Sequence, residues 1–357
     1  MKPMKKLISL FLILSLLLCG CSVEIVLAPP KTVPSEADTE LLVHFIDVGQ
    51  ADCALIEWGD RFVLIDGGNR DDSQLVVSYL QQQNVQQLEA VICSHAHEDH
   101  VGGLPAVLAV FPTARVYAPT NTYSSKVFDD FLYYTDQQRL SVTIPKPGDQ
   151  LTLRNGKETL VLTILGPTKT YAETNNTSLV VRLDYGETAF LFTGDMEVLA
   201  ENDMLDYWAE NRDWAATVLK AGHHGSSTSS SYRLLYEVNP EYAVVSVGAD
   251  NSYGHPHAEI IDRYRDAGIP MLRTDKLGTI LAHSDGKTVT FTWENQNAAP
   301  EQVRAVQERP GFIGNKNSKT FHAPTCDSLP REANRVYFHS YSDAIGSGYT
   351  PCRGCMG

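Results

Sequence analysis

The apolar positions of this chain fall into one long early run and then into many short ones. Residues 7–18 are almost continuously apolar and follow Lys2, Lys5 and Lys6. A run of that length is short of the ~20 residues a helix needs to cross a bilayer, and it suits the core of an export signal. From Leu41 onward, strand-length runs occur at 42–48, 54–58, 62–65, 90–93, 179–183, 189–192, 218–221 and 243–247. Stretches with helical periodicity at 73–83, 103–110, 196–211 and 258–267 lie between them. Strand-rich halves with interleaved helices predict an α/β fold, two stacked sheets with helices on the outer faces, over 41–294. The polar stretch 295–310 reads as a linker, and 311–357 as a small module of its own.

The candidate chemistry gathers where these runs end. His95-Ala96-His97-Glu98-Asp99-His100 follows the apolar Val91-Ile92-Cys93. His95 and His97 alternate, so an extended backbone can aim both rings to one side. Asp99 and His100 come on the turn and can face a second ion nearby. Imidazole and carboxylate ligands at this density suit Zn²⁺ first, with Mn²⁺ or Fe²⁺ as further options. Asp195 ends another apolar run, where a carboxylate beside these imidazoles requires cations and can bridge two of them. Asp66 ends a third run, before Gly67-Gly68. His223, His224 and His255 compete for the last ligand position. Read as strand neighbours, His223 and His224 point to opposite faces, so only one is expected in the site.

Several motifs together resemble a known family. Phe45-Ile46-Asp47-Val48-Gly49-Gln50-Ala51-Asp52, Leu64-Ile65-Asp66-Gly67-Gly68 and the 94–103 segment resemble the metallo-β-lactamase fold, an αββα sandwich. Asn175-Asn176-Thr177-Ser178, Leu191-Phe192-Thr193-Gly194-Asp195, Leu219-Lys220-Ala221-Gly222-His223-His224-Gly225-Ser226 and Asn251-Ser252-Tyr253-Gly254-His255-Pro256 resemble the extracytoplasmic hydrolase domain of ComEC-type competence proteins. This resemblance covers about 41–293. It implies two divalent ions, held by His95, His97, Asp99, His100, a bridging Asp195 and a terminal His255. It implies hydrogen-bonding support from Asp66, and an acid or phosphate-contact role for His223 or His224, with Asp99 beside them. Many members add a histidine before the bridging aspartate, but no histidine lies between His100 and His223. Asn175-Asn176 stands there instead, so a weak amide oxygen or water would complete the first ion, with Asn176 as a supporting residue. The implied reaction is phosphodiester hydrolysis, by a hydroxide bridging the two ions, with DNA as the favoured substrate. Lys220 and the Gly225-Ser226-Ser227 turn would be placed to touch a phosphate. The alternatives are a cell-envelope phosphodiesterase of the phosphocholine or teichoic-acid type, and a surface DNA-binding lipoprotein with a vestigial site.

The two ends add partners. Leu18-Cys19-Gly20-Cys21 resembles a bacterial lipobox, which implies a signal peptide over 1–20, lipidation of Cys21, a tether over 21–40 and an extracytoplasmic, membrane-anchored protein. With 29 Lys and Arg against 43 Asp and Glu, a net charge of −14, the chain is a poor general polyanion binder. At the other end, His322 and Cys326 precede Cys352-Arg353-Gly354-Cys355. A CxxC with an upstream HxxxC is a tetrahedral zinc pattern, and a short segment needs such a staple. With Gly348-Tyr349-Thr350-Pro351-Cys352 the segment resembles the metal-binding module of Ada-type DNA-methylation-damage proteins. Because His322 replaces the first cysteine, the expectation is a structural zinc without methyl transfer. The five Lys and Arg against three acids in 311–357 leave room for a DNA contact.

Overall fold

The computed structural model describes residues 39–209, 214–301, 311–324, 326–338 and 341–356. The expected signal peptide, Cys21, the tether up to residue 38 and linker residues 302–310 lie outside the described residues. Among the described residues no helix is long and apolar enough to cross a membrane.

The strands β1 (Leu41–Phe45), β2 (Ala54–Trp58) and β3 (Arg61–Ile65) pair in sequence, antiparallel. They are followed by α1 (Ser73–Gln82), β4 (Ala90–Ile92), α2 (Glu98–Val101), α3 (Leu104–Val110), β5 (Val116–Tyr117), α4 (Lys126–Gln137) and β6 (Val142–Thr143). Then come β7 (Gln150–Asn155), β8 (Glu158–Gly166), β9 (Val180–Tyr185), β10 (Thr188–Phe192), α5 (Val198–Tyr207) and β11 (Val218–Lys220). The second half closes with α6 (Tyr232–Val238), β12 (Tyr242–Val245), α7 (Ala258–Asp266), β13 (Met271–Arg273) and α8 (Thr274–Leu277). Finally β14 (Ile280–Ser284) and β15 (Val289–Trp293) return to the first sheet, whose order is β15-β14-β1-β2-β3-β4-β5-β6. The second sheet runs β13-β12-β11-β10-β9-β8-β7.

Side-chain alternation makes the layers. On β3, Val63 and Ile65 enter the core between the sheets, while Phe62 and Leu64 enter the core shared with α1, α3 and α4. On β12, Val244 faces inward and Ala243 and Val245 face the core shared with α5, α6 and α7. The result is the expected αββα sandwich.

The strand runs expected from the apolar pattern form within about three residues, the run at 42–48 ending early at Phe45, but 111–174 and 268–294 hold elements that the pattern does not reveal. β7 buries only Leu151 and Leu153, and the wet face between them weakens its apolar signature. The sharper signal there is the glycine of Asn155-Gly156-Lys157: Gly156 takes φ +59° in the two-residue turn 156–157 between the paired Asn155 and Glu158.

The C-terminal module is a four-stranded sheet, β18-β16-β17-β19, built from β16 (Phe312–Asn315), β17 (Thr320–His322), β18 (Arg335–Phe338) and β19 (Thr350–Pro351), with α9 (Tyr341–Gly346). Its core residues Phe312, Phe321, Phe338, Ala344, Tyr349 and Met356 form one cluster with Tyr232 of α6. The Tyr232 ring meets Phe312 edge-on at 5.0 Å, and Tyr236 meets Tyr341 at 4.6 Å. Tyr232 is tied in turn to α7, its hydroxyl donating to Asp266 at 3.1 Å. The small core is therefore completed by a helix of the sandwich. Tyr232→Ala should cost about 3 kcal/mol, as large aromatic truncations do. The expected outcome is a lower urea midpoint and faster protease cleavage within 311–356. A midpoint equal to wild type would show that the module is not anchored through this ring.

Candidate metal centre

The loops that follow β4, β10, β11 and β12 meet at one edge of the sandwich. His97 precedes the first turn of α2, and the turn is pressed against the 67–70 loop: Gly67 N–H donates to the His100 carbonyl at 2.7 Å. Gly102-Gly103 is required by this approach, since a Cβ on Gly103 would lie 2.1 Å from the Gly67 oxygen.

Around Asp195 the ring nitrogens converge. His100 Nε2 lies 3.2 Å from Asp195 Oδ1, and His224 Nε2 lies 3.2 Å from Asp99 Oδ2 and 3.6 Å from Asp195 Oδ2. Asp99, His100, Asp195 and His224 each offer one ligand atom within 4.8 Å of the others. On the other side, His95 Nε2 and His97 Nδ1 sit 3.1 Å apart, with His95 Nε2 3.9 Å from Asp195 Oδ2. His100 Nε2, His224 Nε2 and Asp195 Oδ1 are buried and lack hydrogen-bond partners among the described residues. Each such atom costs about 1–3 kcal/mol unless something satisfies it. A divalent cation among them satisfies all three, so the donor set fits the metal that the sequence pattern implies.

The far nitrogens of the same rings are held in place. Asp66 Oδ2 is 2.9 Å from His100 Nδ1, and Asp66 Oδ1 accepts Ser94 N–H at 2.6 Å. His224 Nδ1 lies 3.1 Å from the Ser246 carbonyl and 3.2 Å from Asp52 Oδ1. Asp52 in turn accepts from Lys220 Nζ at 2.7 Å. Asp66 thus joins β3 to the metal-type loop through His100 and Ser94. Asp52 carries no role that its sequence position reveals, because its partner Lys220 lies 168 residues away. Lys220 is buried on Asp52 and the Ala221 carbonyl, not directed at a phosphate.

The histidine pair departs from the expectation, as does His255. His223 and His224 do not lie on a strand. They follow β11 in left-handed backbone, φ +50° and +51°, and continue into Gly225 at φ +84°. This costs about 1–2 kcal/mol per residue, and it removes the strand alternation, so both rings turn to Asp195. His223 Nε2 is also 3.6 Å from Asp195 Oδ2, but its side chain is 22% exposed against 2% for His224. The buried ring closes the ligand cluster and the open one faces solvent. His255, expected as the terminal ligand, shares no ligand group with Asp195, as is also true of His95 and His97, but where His95 Nε2 is 3.9 Å from Asp195 Oδ2, His255 Nδ1 lies 3.3 Å from Gln50 Nε2. Asn176 is spent on Glu197, donating to Oε2 at 3.3 Å and accepting its N–H at 3.1 Å. The buried amide oxygen without a hydrogen-bond partner belongs to Asn175.

In the C-terminal module the ligand atoms of His322, Cys326, Cys352 and Cys355 all lie within 4.8 Å of one another. Burial and the neighbouring thiols push the Cys355 thiol up, so a cation is needed for three thiolates to coexist here. The donor set fits a metal.

Electrostatics in the sandwich site give a sign for metal binding. Burial alone would lower the His224 pKa, but Asp195 and Asp52 outweigh it and lift it to about 10. His100 is raised too, against burial, by Asp195 and Asp66. Asp195 stays far below the usual range because His100 and His224 overcome its burial. Without a metal both imidazoles therefore carry protons at neutral pH, and a cation must displace them. Affinity should rise with pH toward about 10 and fall on acidification. Zinc titration at pH 7 in buffers of different ionisation enthalpy should show about one fewer proton released by His224→Ala than by wild type. His224→Ala should also bind about one ion less, while His255→Ala keeps full content. Full content in His224→Ala with loss in His255→Ala would reverse the assignment.

A family model described as the metallo-beta-lactamase superfamily matches residues 46–249, and one described as the metal binding domain of Ada matches residues 304–356. The chain is 26% identical over 291 residues to ComE operon protein 3 of Bacillus subtilis, covering 76% of this chain and 36% of that protein. It is 31% identical over 257 residues to competence protein ComA of Neisseria gonorrhoeae, covering 70% and 33%. Recombination protein 2 of Haemophilus influenzae is 30% identical over 227 residues, covering 62% and 26%. The chain thus spans about a third of the length of these relatives. A two-sheet sandwich with a metal-type cluster at its edge, matched over more than half its length, makes this chain a member of the metallo-β-lactamase superfamily.

Proposed function

We propose that the protein is a two-metal phosphodiesterase acting on DNA, anchored outside the cytoplasm through lipid on Cys21. The observation that carries this reading is the division of labour around Asp195: three buried donor atoms without partners on one side and an open imidazole, His223, on the other. In this reading His95, His97 and Asp195 would hold one ion, and Asp99, His100, His224 and Asp195 would hold the other. Divalent ions bound there supply Lewis acidity and lower the pKa of a coordinated water. Asp66, Ser94, Asp52 and the Ser246 carbonyl keep the ligand rings oriented. His223 is braced at Nδ1 by Thr228 Oγ1 at 3.2 Å, with Glu197 Oε1 at 3.8 Å, which leaves Nε2 to protonate a departing oxygen. DNA is favoured by relatives named for competence and recombination and by the match to the metal binding domain of Ada. The second reading, an envelope phosphodiesterase for small phosphocholine or teichoic-acid groups, is favoured by the acidic chain, 43 acids against 29 bases.

The test is hydrolysis by the metal-loaded protein, with Zn²⁺ or Mn²⁺, of bis-p-nitrophenyl phosphate, single-stranded DNA, duplex DNA and glycerophosphocholine. Asp195→Asn and His97→Ala should each lose at least about a hundredfold. His223→Ala should keep its metal and lose ~10²-fold on poor leaving groups, but much less with nitrophenolate, which departs without a proton. Activity of Asp195→Asn within a few-fold of wild type would sink the two-metal reading. Cleavage of glycerophosphocholine but not DNA would move the assignment to the second reading. For the anchor, a fatty-acid analogue should label wild type and not Cys21→Ser; label retained by the variant places the lipid elsewhere.

A further inference from the structure

The ring that leaves the ligand cluster, His255, begins a path from the metal centre to solvent. His223, at 3.6 Å from Asp195, meets His255 edge-on with centroids 5.7 Å apart. His255 is then covered by Tyr253, 5.6 Å away and nearly parallel, at 25°. Tyr253 is 67% exposed, more than any other large apolar or aromatic side chain among the described residues. A ring that open loses nothing by being removed from the fold, and it presents one face to water beside the candidate site. Its position is nevertheless fixed. Asn251 Nδ2 donates to the carbonyls of Gly248 and His255 at 3.0 and 2.7 Å, and Asn251 Oδ1 accepts His255 N–H at 3.0 Å. His257 Nε2 approaches the Tyr253 carbonyl at 3.2 Å. The other tyrosine at the site, Tyr123, is edge-on to His97 at 6.2 Å but packs against Phe128 in the core.

We infer that Tyr253 is a stacking platform for a nucleobase next to the phosphodiester in the site, which makes single-stranded nucleic acid the substrate class. The inference rests on the phosphodiesterase reading for the neighbouring bond, and not on it for binding. Duplex bases are stacked on each other and have no free face to offer, whereas an unpaired base stacks on an exposed aromatic ring at any sequence. The chain's excess of acids gives little long-range attraction for a polyanion, so a neutral contact has to supply affinity for the strand.

The experiment compares a fluorescent oligothymidylate of about twelve nucleotides with the same backbone made abasic, using the full chain. Binding is read by anisotropy in the Asp195→Asn background, where no turnover interferes. Oligothymidylate should bind about tenfold tighter than the abasic strand. Tyr253→Ala should erase that difference, Tyr253→Trp should restore it, and far-ultraviolet circular dichroism should be unchanged in both. In the protein with Asp195 intact, the same preference should appear in kcat/KM. Equal binding of the two strands, or a preference that survives Tyr253→Ala, overturns the inference. If bis-p-nitrophenyl phosphate is hydrolysed and neither strand binds, the platform falls and the phosphodiesterase stands. If no phosphodiester is hydrolysed but thymidylate binding depends on Tyr253, the hydrolytic reading falls and the platform stands.

Discussion

Asp195 is only 2% exposed and carries a charge that water cannot reach, so its surroundings have to hold it. Four histidines do so from two separate loops: His95 and His100 after β4, and His223 and His224 after β11. Each ring can face the carboxylate only because its other nitrogen is secured elsewhere or left at the surface. Asp66 and Ser94 secure His100, Asp52 and Ser246 secure His224, and Lys220 secures Asp52. Remove the carboxylate and the imidazoles lose the point on which they converge; remove the cation and they must hold protons instead. The strained turn at 223–224 and the close glycine contact at 103 are tolerated because they serve that convergence.

Much of this was legible along the chain. The His95–His100 segment announced a metal loop because its ligands are adjacent in sequence, and a strand end was enough to expose them. Asp195 and Asp66 could be read the same way, each from a carboxylate closing an apolar run. What escaped depends on backbone conformation or on contacts across the fold. The alternation rule applied to His223 and His224 assumed extended backbone, and the left-handed turn cancels it. Asp52 and Lys220 gain meaning only when β11 lies beneath the loop before β2, and sequence spacing carries no trace of that. His255 carries a motif but no ligand geometry, since its ring is turned to Gln50 and Tyr253. The β7–β8 hairpin is hidden from the apolar pattern because one wet face breaks up the run, although Gly156 marks its turn.

The two candidate metal sites also differ in kind. In the sandwich, unpartnered donor atoms converge beside a partly exposed imidazole, an arrangement suited to chemistry at an open edge. In the module, four donors from β17, the turn after it and the chain end draw together around one point with no free acid or base among them. The first arrangement leaves room for a reacting group, and the second uses its ligands up in holding the chain.

The Tyr232 contact bears on how this chain can be divided. Boundaries between domains are usually placed where the sequence turns polar, and 295–310 invites such a cut. A cut there would not release two finished parts. The sandwich would keep Tyr232 and Tyr236 on α6 with their aromatic neighbours gone, leaving a bare apolar socket beside the loop that carries His223 and His224. Bare sockets of that type attract other chains. A cut at the polar stretch therefore separates two families' segments in the sequence but divides one aromatic cluster in the solid.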